Sequence, residues 1–255
     1  MIHAMVLHTE RGGRGPRLVL VHGFTQNRRG WGELSDQLAV DHEVVRVDAP
    51  GHGRSAAVEA DLRTGGRLIG EAGGPATYVG YSMGARFCLH LALSSPELVR
   101  GLVLLGATAG IEGADERAAR HAQDLSAAAR LRRDGLEAFL AAWLAQPLFA
   151  GLPAERSGAA ERLENTVDGL ASSLTLAGTG AQAPLWDALP SLAMPVLVLA
   201  GERDAKFRDL AQRMASAIGP NATAALVAGA GHAAHLEQPD RFLATVRAWL
   251  RARAL

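Results

Sequence analysis

The pentapeptide Gly80-Tyr81-Ser82-Met83-Gly84 limits what this chain can fold into more than any other segment. It follows the apolar run 76–79 and opens an apolar helical pattern at 83–93, so the serine falls on a strand-to-helix turn. A GxSxG in that position is a nucleophile elbow. The abrupt turn strains the serine backbone, and the flanking glycines remove side chains that would collide there. Ser82 is thereby held out at the carboxyl edge of a sheet. The helix behind it aims its first N–H groups and the positive end of its dipole at any negative charge that develops nearby.

A serine hydroxyl is a poor nucleophile or base unless a histidine takes its proton, and the histidine needs a carboxylate to fix its tautomer. The last β-rich run, 224–227, ends in Ala228-Gly229-Ala230-Gly231-His232, a small-residue loop that delivers His232 to the same sheet edge as the candidate base. His235, three residues on, starts a helical pattern and is the weaker candidate. The run 195–200 leads into Gly201-Glu202-Arg203-Asp204, which makes Asp204 the candidate acid and Glu202 its rival. The order Ser, Asp, His is the one expected after such an elbow. His22 and His52 precede the serine and read as loop-structuring or pocket-lining residues. Two oxyanion donors are expected: the N–H of Met83 and, from the loop after strand 18–21, the N–H of Phe24.

β-rich runs recur at 17–22, 43–48, 76–81, 102–105, 195–200 and 224–227, and several are apolar without alternation, as buried parallel strands are. Helical patterns lie between them, including the stripe Phe242, Leu243, Val246, Trp249 and Leu250. The expected class is α/β, a mostly parallel sheet flanked by helices. Between 110 and 190 the strand runs vanish, and a long Ala, Leu and Arg segment, 115–133, leads into 136–144. The expected organisation is a core in two parts, 1–109 and 191–255, with a helical cap, 110–190, inserted before the last strands. The glycine-rich stretches 11–16 and 65–74 read as loops.

With 255 residues and 48% hydrophobic content the chain can bury one large core. Lys plus Arg and Asp plus Glu both number 26, so no global field draws nucleic acid or an anionic membrane to it. The first ten residues hold only a four-residue apolar run, 4–7, and no stretch approaches membrane-spanning length. A soluble cytoplasmic protein with no stable membrane insertion is expected. Cys88 is the single cysteine, which excludes an intrachain disulfide and reads as a small buried apolar residue. No His, Asp and Glu cluster has metal-ligand spacing, and no dinucleotide or phosphate-loop fingerprint occurs, so neither metal nor cofactor is expected. The partner is a small-molecule substrate, and nothing in the chain specifies an oligomeric state.

Taken together, Val21-His22-Gly23-Phe24, residues 48–55 (DAPGHGRS), the GxSxG and the Asp and His loops resemble the α/β-hydrolase superfamily over essentially the whole chain. More narrowly, residues 80–86 (GYSMGAR), 143–149 (WLAQPLF), 201–208 (GERDAKFR) and 231–239 (GHAAHLEQP) resemble the menaquinone-pathway synthases of 2-succinyl-6-hydroxy-2,4-cyclohexadiene-1-carboxylate. That resemblance implies a lyase. Pyruvate is eliminated from an enolpyruvyl cyclohexene polycarboxylate, with the Ser-His-Asp triad acting as a base. It assigns Arg86, one helical turn beyond Ser82, and the cap arginines Arg120 and Arg162 to substrate carboxylates; Trp143 and Phe149 either line the pocket or pack the cap onto the sheet. One departure stands out: many members carry arginine after Ser-Leu in the segment ending GTG, where this chain has Ser173-Leu174-Thr175. The alternative is a carboxylic-ester, lactone or carbon–carbon hydrolase with Ser82 as nucleophile, since one triad serves all these chemistries. A non-catalytic receptor on this fold would have no need of all three triad residues.

Overall fold

The computed structural model describes residues 6–255, so Ala4 and Met5 of the first apolar run lie outside the described residues. Seven strands, β1 (Thr9–Gly12), β2 (Arg17–Val21), β3 (Glu43–Val47), β4 (Ala76–Tyr81), β5 (Val99–Leu105), β6 (Val196–Gly201) and β7 (Ala222–Val227), form one sheet in the order β1-β3-β2-β4-β5-β6-β7. All neighbours are parallel except β1, which pairs antiparallel with β3. The β-branched and leucine-rich strands are buried on both faces at the centre; every residue of β4 and of β6 is buried. This is how helices on both faces of a parallel sheet shape its strands.

The helices are α1 (Glu33–Leu38), α2 (Leu62–Gly73), α3 (Met83–Ser94), α4 (Ala114–Asp134), α5 (Leu136–Leu144), α6 (Ala159–Arg162), α7 (Val167–Ala177), α8 (Ala205–Ile218), α9 (Ala234–Glu237) and α10 (Pro239–Ala252). One face of the sheet packs on Ile69 of α2, Phe87 of α3 and Met214 of α8. The other packs on Leu34 and Leu38 of α1 and on the stripe Phe242, Val246, Trp249 and Leu250 of α10. Helices α4 to α7 all fall in the strand-free stretch between β5 and β6. They share a small apolar cluster of Ala128, Leu131, Phe139, Leu170 and Leu174, against which Phe24 of the core packs.

Two expectations need correction. Residues 65–73 are not a loop: they belong to α2, where Asp61 caps the N-terminus by accepting from the Thr64 N–H at 2.7 Å. Gly65, Gly66 and Gly70 face α3 so closely that an added Cβ would stand 2.4 Å from Phe87, 2.9 Å from its carbonyl and 2.6 Å from Leu91. The glycines serve close helix packing rather than a turn. Likewise, the 11–16 stretch begins inside β1, whose polar Thr-Glu-Arg-Gly sequence suits a sheet edge paired on one side only.

Candidate active site

Ser82 sits between β4 and α3 at φ 50° and ψ −107°. A residue with a side chain occupies that region only when its surroundings force it. Here the Ser82 N–H donates to the Leu105 carbonyl at 2.8 Å, locking the turn to the neighbouring strand. The glycines on either side are obligatory. A Cβ on Gly84 would stand 2.2 Å from the Val21 carbonyl oxygen, and one on Gly80 would stand 2.5 Å from Ala85 Cα.

β6 ends at Gly201 and the chain turns through Asp204 into α8, whose N-terminus Asp204 caps by accepting from the Phe207 N–H at 3.3 Å. Its other oxygen, Oδ2, lies 2.8 Å from His232 Nδ1, and His232 Nε2 lies 3.2 Å from Ser82 Oγ. A carboxylate at Nδ1 fixes the proton there and leaves the Nε2 lone pair facing the serine O–H. The imidazole is almost wholly enclosed, between the Phe207 ring at 4.4 Å and the Tyr81 ring at 5.4 Å. Its loop is held from the far side by Glu237, which accepts from the N–H groups of Gly231 at 2.7 Å and Ala233 at 3.1 Å. Sequence reasoning missed that role, although Glu237 lies in the GHAAHLEQP run. Glu202 accepts from the exposed Gly229 N–H at 2.8 Å and does not approach His232. His235 is buried in α9 against Trp31 and Tyr81, and burial pushes its pKa down to about 3, so it is neutral.

Met83 opens α3, where the first N–H groups have no intrahelical acceptor. Among the described residues no protein acceptor takes the Phe24 N–H. His22 and His52 organise this region without lining the Ser82 cavity. His22 Nε2 accepts from the Ala49 N–H at 3.0 Å, and His52 Nε2 from the Thr25 N–H at 3.4 Å. Burial pushes their pKa values down to about 4 and about 3.

A cavity of about 350 Å³ opens over Ser82, His232, Phe24 and Met83. Arg86 lines it from α3, only 7% exposed, with its Nη1 donating to the Ala177 carbonyl at 2.8 Å and no carboxylate paired to it among the described residues. Burial, then the charge of Arg120, pushes its pKa down to about 10, which leaves it cationic at neutral pH. Arg120 lines the cavity from α4 with its Nε donating to Asp124 at 2.9 Å; the second Asp124 oxygen accepts from the Gly180 N–H, also at 2.9 Å. Trp143 lines it too, 5.0 Å from the Phe24 ring.

The remaining expected residues lie elsewhere. Phe149 is buried behind the cavity wall, 6.1 Å from Trp143 and 6.4 Å from His232 between ring centres. Arg162 does not reach the cavity: its guanidinium is spent on the Ser157 carbonyl at 2.8 Å, the Thr25 hydroxyl and the Phe24 carbonyl at 3.5 Å. Thr175, at the departure from the family pattern, donates to the Ala171 carbonyl at 2.9 Å and is also outside the lining. Two cations that sequence reasoning missed line the cavity from α8. Arg213 stacks 3.8 Å over the Trp186 ring and pairs with Glu112 at 2.8 Å, while Lys206 has no acidic partner among the described residues. Lys206 lies inside the GERDAKFR run; Arg213 carried no signal beyond its helix. Among the described residues no group of three or more His, Cys, Asp or Glu gathers as metal ligands, and no helix is long and apolar enough to cross a membrane.

The alpha/beta hydrolase family model matches residues 18–245. The 2-succinyl-6-hydroxy-2,4-cyclohexadiene-1-carboxylate synthase of Salmonella schwarzengrund (strain CVM19633) is 37% identical over 251 residues, 94% of this chain and 94% of that protein. Among solved structures, MenH from S. aureus aligns with a TM-score of 0.90 at 28% identity, covering 97% of this chain and 99% of that one. A malate-bound thermophilic esterase from Thermogutta terrifontis aligns with a TM-score of 0.80 at 25% identity, covering 97% and 93%. With identity above one third sustained across both chains, this protein belongs to the alpha/beta hydrolase family and, within it, to the 2-succinyl-6-hydroxy-2,4-cyclohexadiene-1-carboxylate synthases.

Proposed function

We propose that this enzyme eliminates pyruvate from an enolpyruvyl cyclohexene polycarboxylate to give 2-succinyl-6-hydroxy-2,4-cyclohexadiene-1-carboxylate, with Ser82, His232 and Asp204 acting as a base. Ser82 Oγ removes the ring proton next to the succinyl ketone as its own proton passes to His232 Nε2, and Asp204 stabilises the resulting imidazolium. The electron pair enters the ring, the diene forms, and the carbon–oxygen bond to the enolpyruvyl group breaks. Enolpyruvate takes up a proton and becomes pyruvate. The N–H groups of Phe24 and Met83 stabilise the enolate oxygen while it carries charge.

The observation that carries this reading is Arg86, a buried cation lining the cavity beside Ser82 with only a carbonyl as partner. A cation so placed costs desolvation for a neutral ester and is offset by a carboxylate substrate. Lys206 supplies further positive charge to the same cavity, whose other cations, Arg120 and Arg213, are paired with Asp124 and Glu112, and residues 110–190 act as its cap. A polyanion of this kind is confined to an aqueous compartment, and we place the enzyme in the cytoplasm. Ester hydrolysis through a Ser82 acyl-enzyme is the alternative, supported by the esterase neighbour. A fluorophosphonate label with p-nitrophenyl acetate as substrate separates the two. Slow labelling and negligible ester turnover fit the lyase, and rapid labelling with fast turnover fits the hydrolase.

A further inference from the structure

The loop that presents the Phe24 N–H contains Thr25 at φ 67°, a left-handed conformation that a β-branched residue adopts only when its neighbours over-determine it. The core supplies part of that constraint. His52 takes the Thr25 N–H, and the Gly23 carbonyl accepts from the Gln26 N–H at 3.2 Å. The rest comes from the helices between β5 and β6. Arg162, the last residue of α6, donates to the Thr25 hydroxyl and to the Phe24 carbonyl. Asn165, in the turn before α7, donates from Nδ2 to the carbonyls of Thr25 at 2.7 Å and Gln26 at 3.4 Å. Its Oδ1 accepts from the Gly53 N–H at 2.8 Å, tying the same turn to the His52 loop. Both side chains are buried, and neither lines the Ser82 cavity. The Phe24 ring meets Phe139 and Trp143 of α5 edge to face, so these helices hold it by both backbone and side chain.

We infer that Arg162 and Asn165 are positioning residues for the oxyanion loop, so that the helical insertion, and not the core alone, sets where the Phe24 N–H points. This rests on the reading of Phe24 as an oxyanion donor. It also reassigns Arg162 from a substrate ligand to a group acting through Phe24 and Thr25. A substrate-binding arginine contributes to the ground-state complex, whereas a misplaced oxyanion donor is felt only once charge develops, and the two separate as KM against kcat.

The test compares Arg162→Met and Asn165→Asp with Arg120→Met, following pyruvate release and amide exchange at Gly23 and Gln26. Asn165→Asp keeps the acceptor for Gly53 and loses the Nδ2 donations to the Thr25 and Gln26 carbonyls, along with that to the Arg162 carbonyl in its own turn, so it carries the test if Arg162→Met does not fold. Both loop variants are expected to lose about ten- to a thousandfold in kcat, the upper end being about that of an oxyanion donor removed outright, with KM within roughly threefold of wild type. Exchange at Gly23 and Gln26 is expected to quicken in both. Arg120→Met is expected to raise KM and leave that exchange alone. A raised KM with kcat preserved in Arg162→Met, or unaltered exchange in both loop variants, overturns the inference. If the wild-type enzyme releases no pyruvate, the functional reading falls, and the exchange result decides the loop clamp by itself.

Discussion

At Ser82 the chemistry depends on a backbone conformation that its neighbours impose, and the same dependence runs through each residue of the site. Asp204 does two things at once, capping α8 and holding His232 Nδ1. Asp204→Asn keeps an acceptor for the cap but lets the histidine take the wrong tautomer, so kcat is expected to fall by on the order of 10³ to 10⁴ with little change in stability. Loss of activity in Glu202→Gln instead would identify the wrong carboxylate. Arg86→Ala is expected to cut kcat/KM for the polycarboxylate by roughly tenfold to a thousandfold, from about 1.5 to 4 kcal/mol of charge-assisted hydrogen bonding, and Arg86→Lys to recover only part. Unchanged turnover in Arg86→Ala would make the arginine structural. The triad positions were legible because each follows a strand end, where local pattern fixes position. The destination of Arg162 was not. Nothing local says whether a cap arginine turns toward a cavity or toward a loop distant in sequence. Arg213 was missed for the same reason, being indistinguishable in sequence from a solvated helix face, whereas Lys206 lay inside the GERDAKFR run and could have been found there.

Among the elements, α2 shows where local propensity gives way to packing. Its four glycines lower helix propensity, which made the stretch read as a loop, yet they let α2 close on α3, down to the Phe87 carbonyl, and on the Val19 and Tyr78 side chains of the sheet. Gly65→Val is expected to destabilise the fold by about 1–3 kcal/mol through overpacking against Phe87, lowering Tm by roughly 2–10 °C for a chain of this size. Gly12→Ala in β1, with no atom within 4 Å of the added Cβ, is the matched control and is expected to leave Tm nearly unchanged. Equal effects would show that backbone freedom, not close approach, explains both. The central strands were legible because burial on both faces gives uninterrupted apolar runs. β1 was not, because its short polar sequence is paired through one edge only.

For the molecule as a whole, the parallel sheet brings the ends of β2, β4, β6 and β7 to one edge, and the helices between β5 and β6 close over it. The buried histidines behind that edge give stability a definite pH dependence. His22 and His52 are neutral in the fold, with pKa values near 4 and 3 against 6.5 for a free ring. The unfolded chain therefore binds protons that the native state refuses. Stability is full above about pH 6.5 and is lost as pH falls toward about 4 for His22 and about 3 for His52, with His22 alone costing about 2 kcal/mol at pH 5. The urea midpoint is expected to drop between about pH 7.5 and 5; a constant midpoint would show that these rings are not held neutral. The reaction itself is tested by mixing the purified enzyme with the enolpyruvyl cyclohexene polycarboxylate and following pyruvate together with diene absorbance. The expected result is equimolar pyruvate and diene from wild type and a rate lower by about a hundredfold to ten-thousandfold in Ser82→Ala. Absence of pyruvate from the wild-type enzyme, or Ser82→Ala within about tenfold of its rate, roughly 1.4 kcal/mol of barrier, would contradict it.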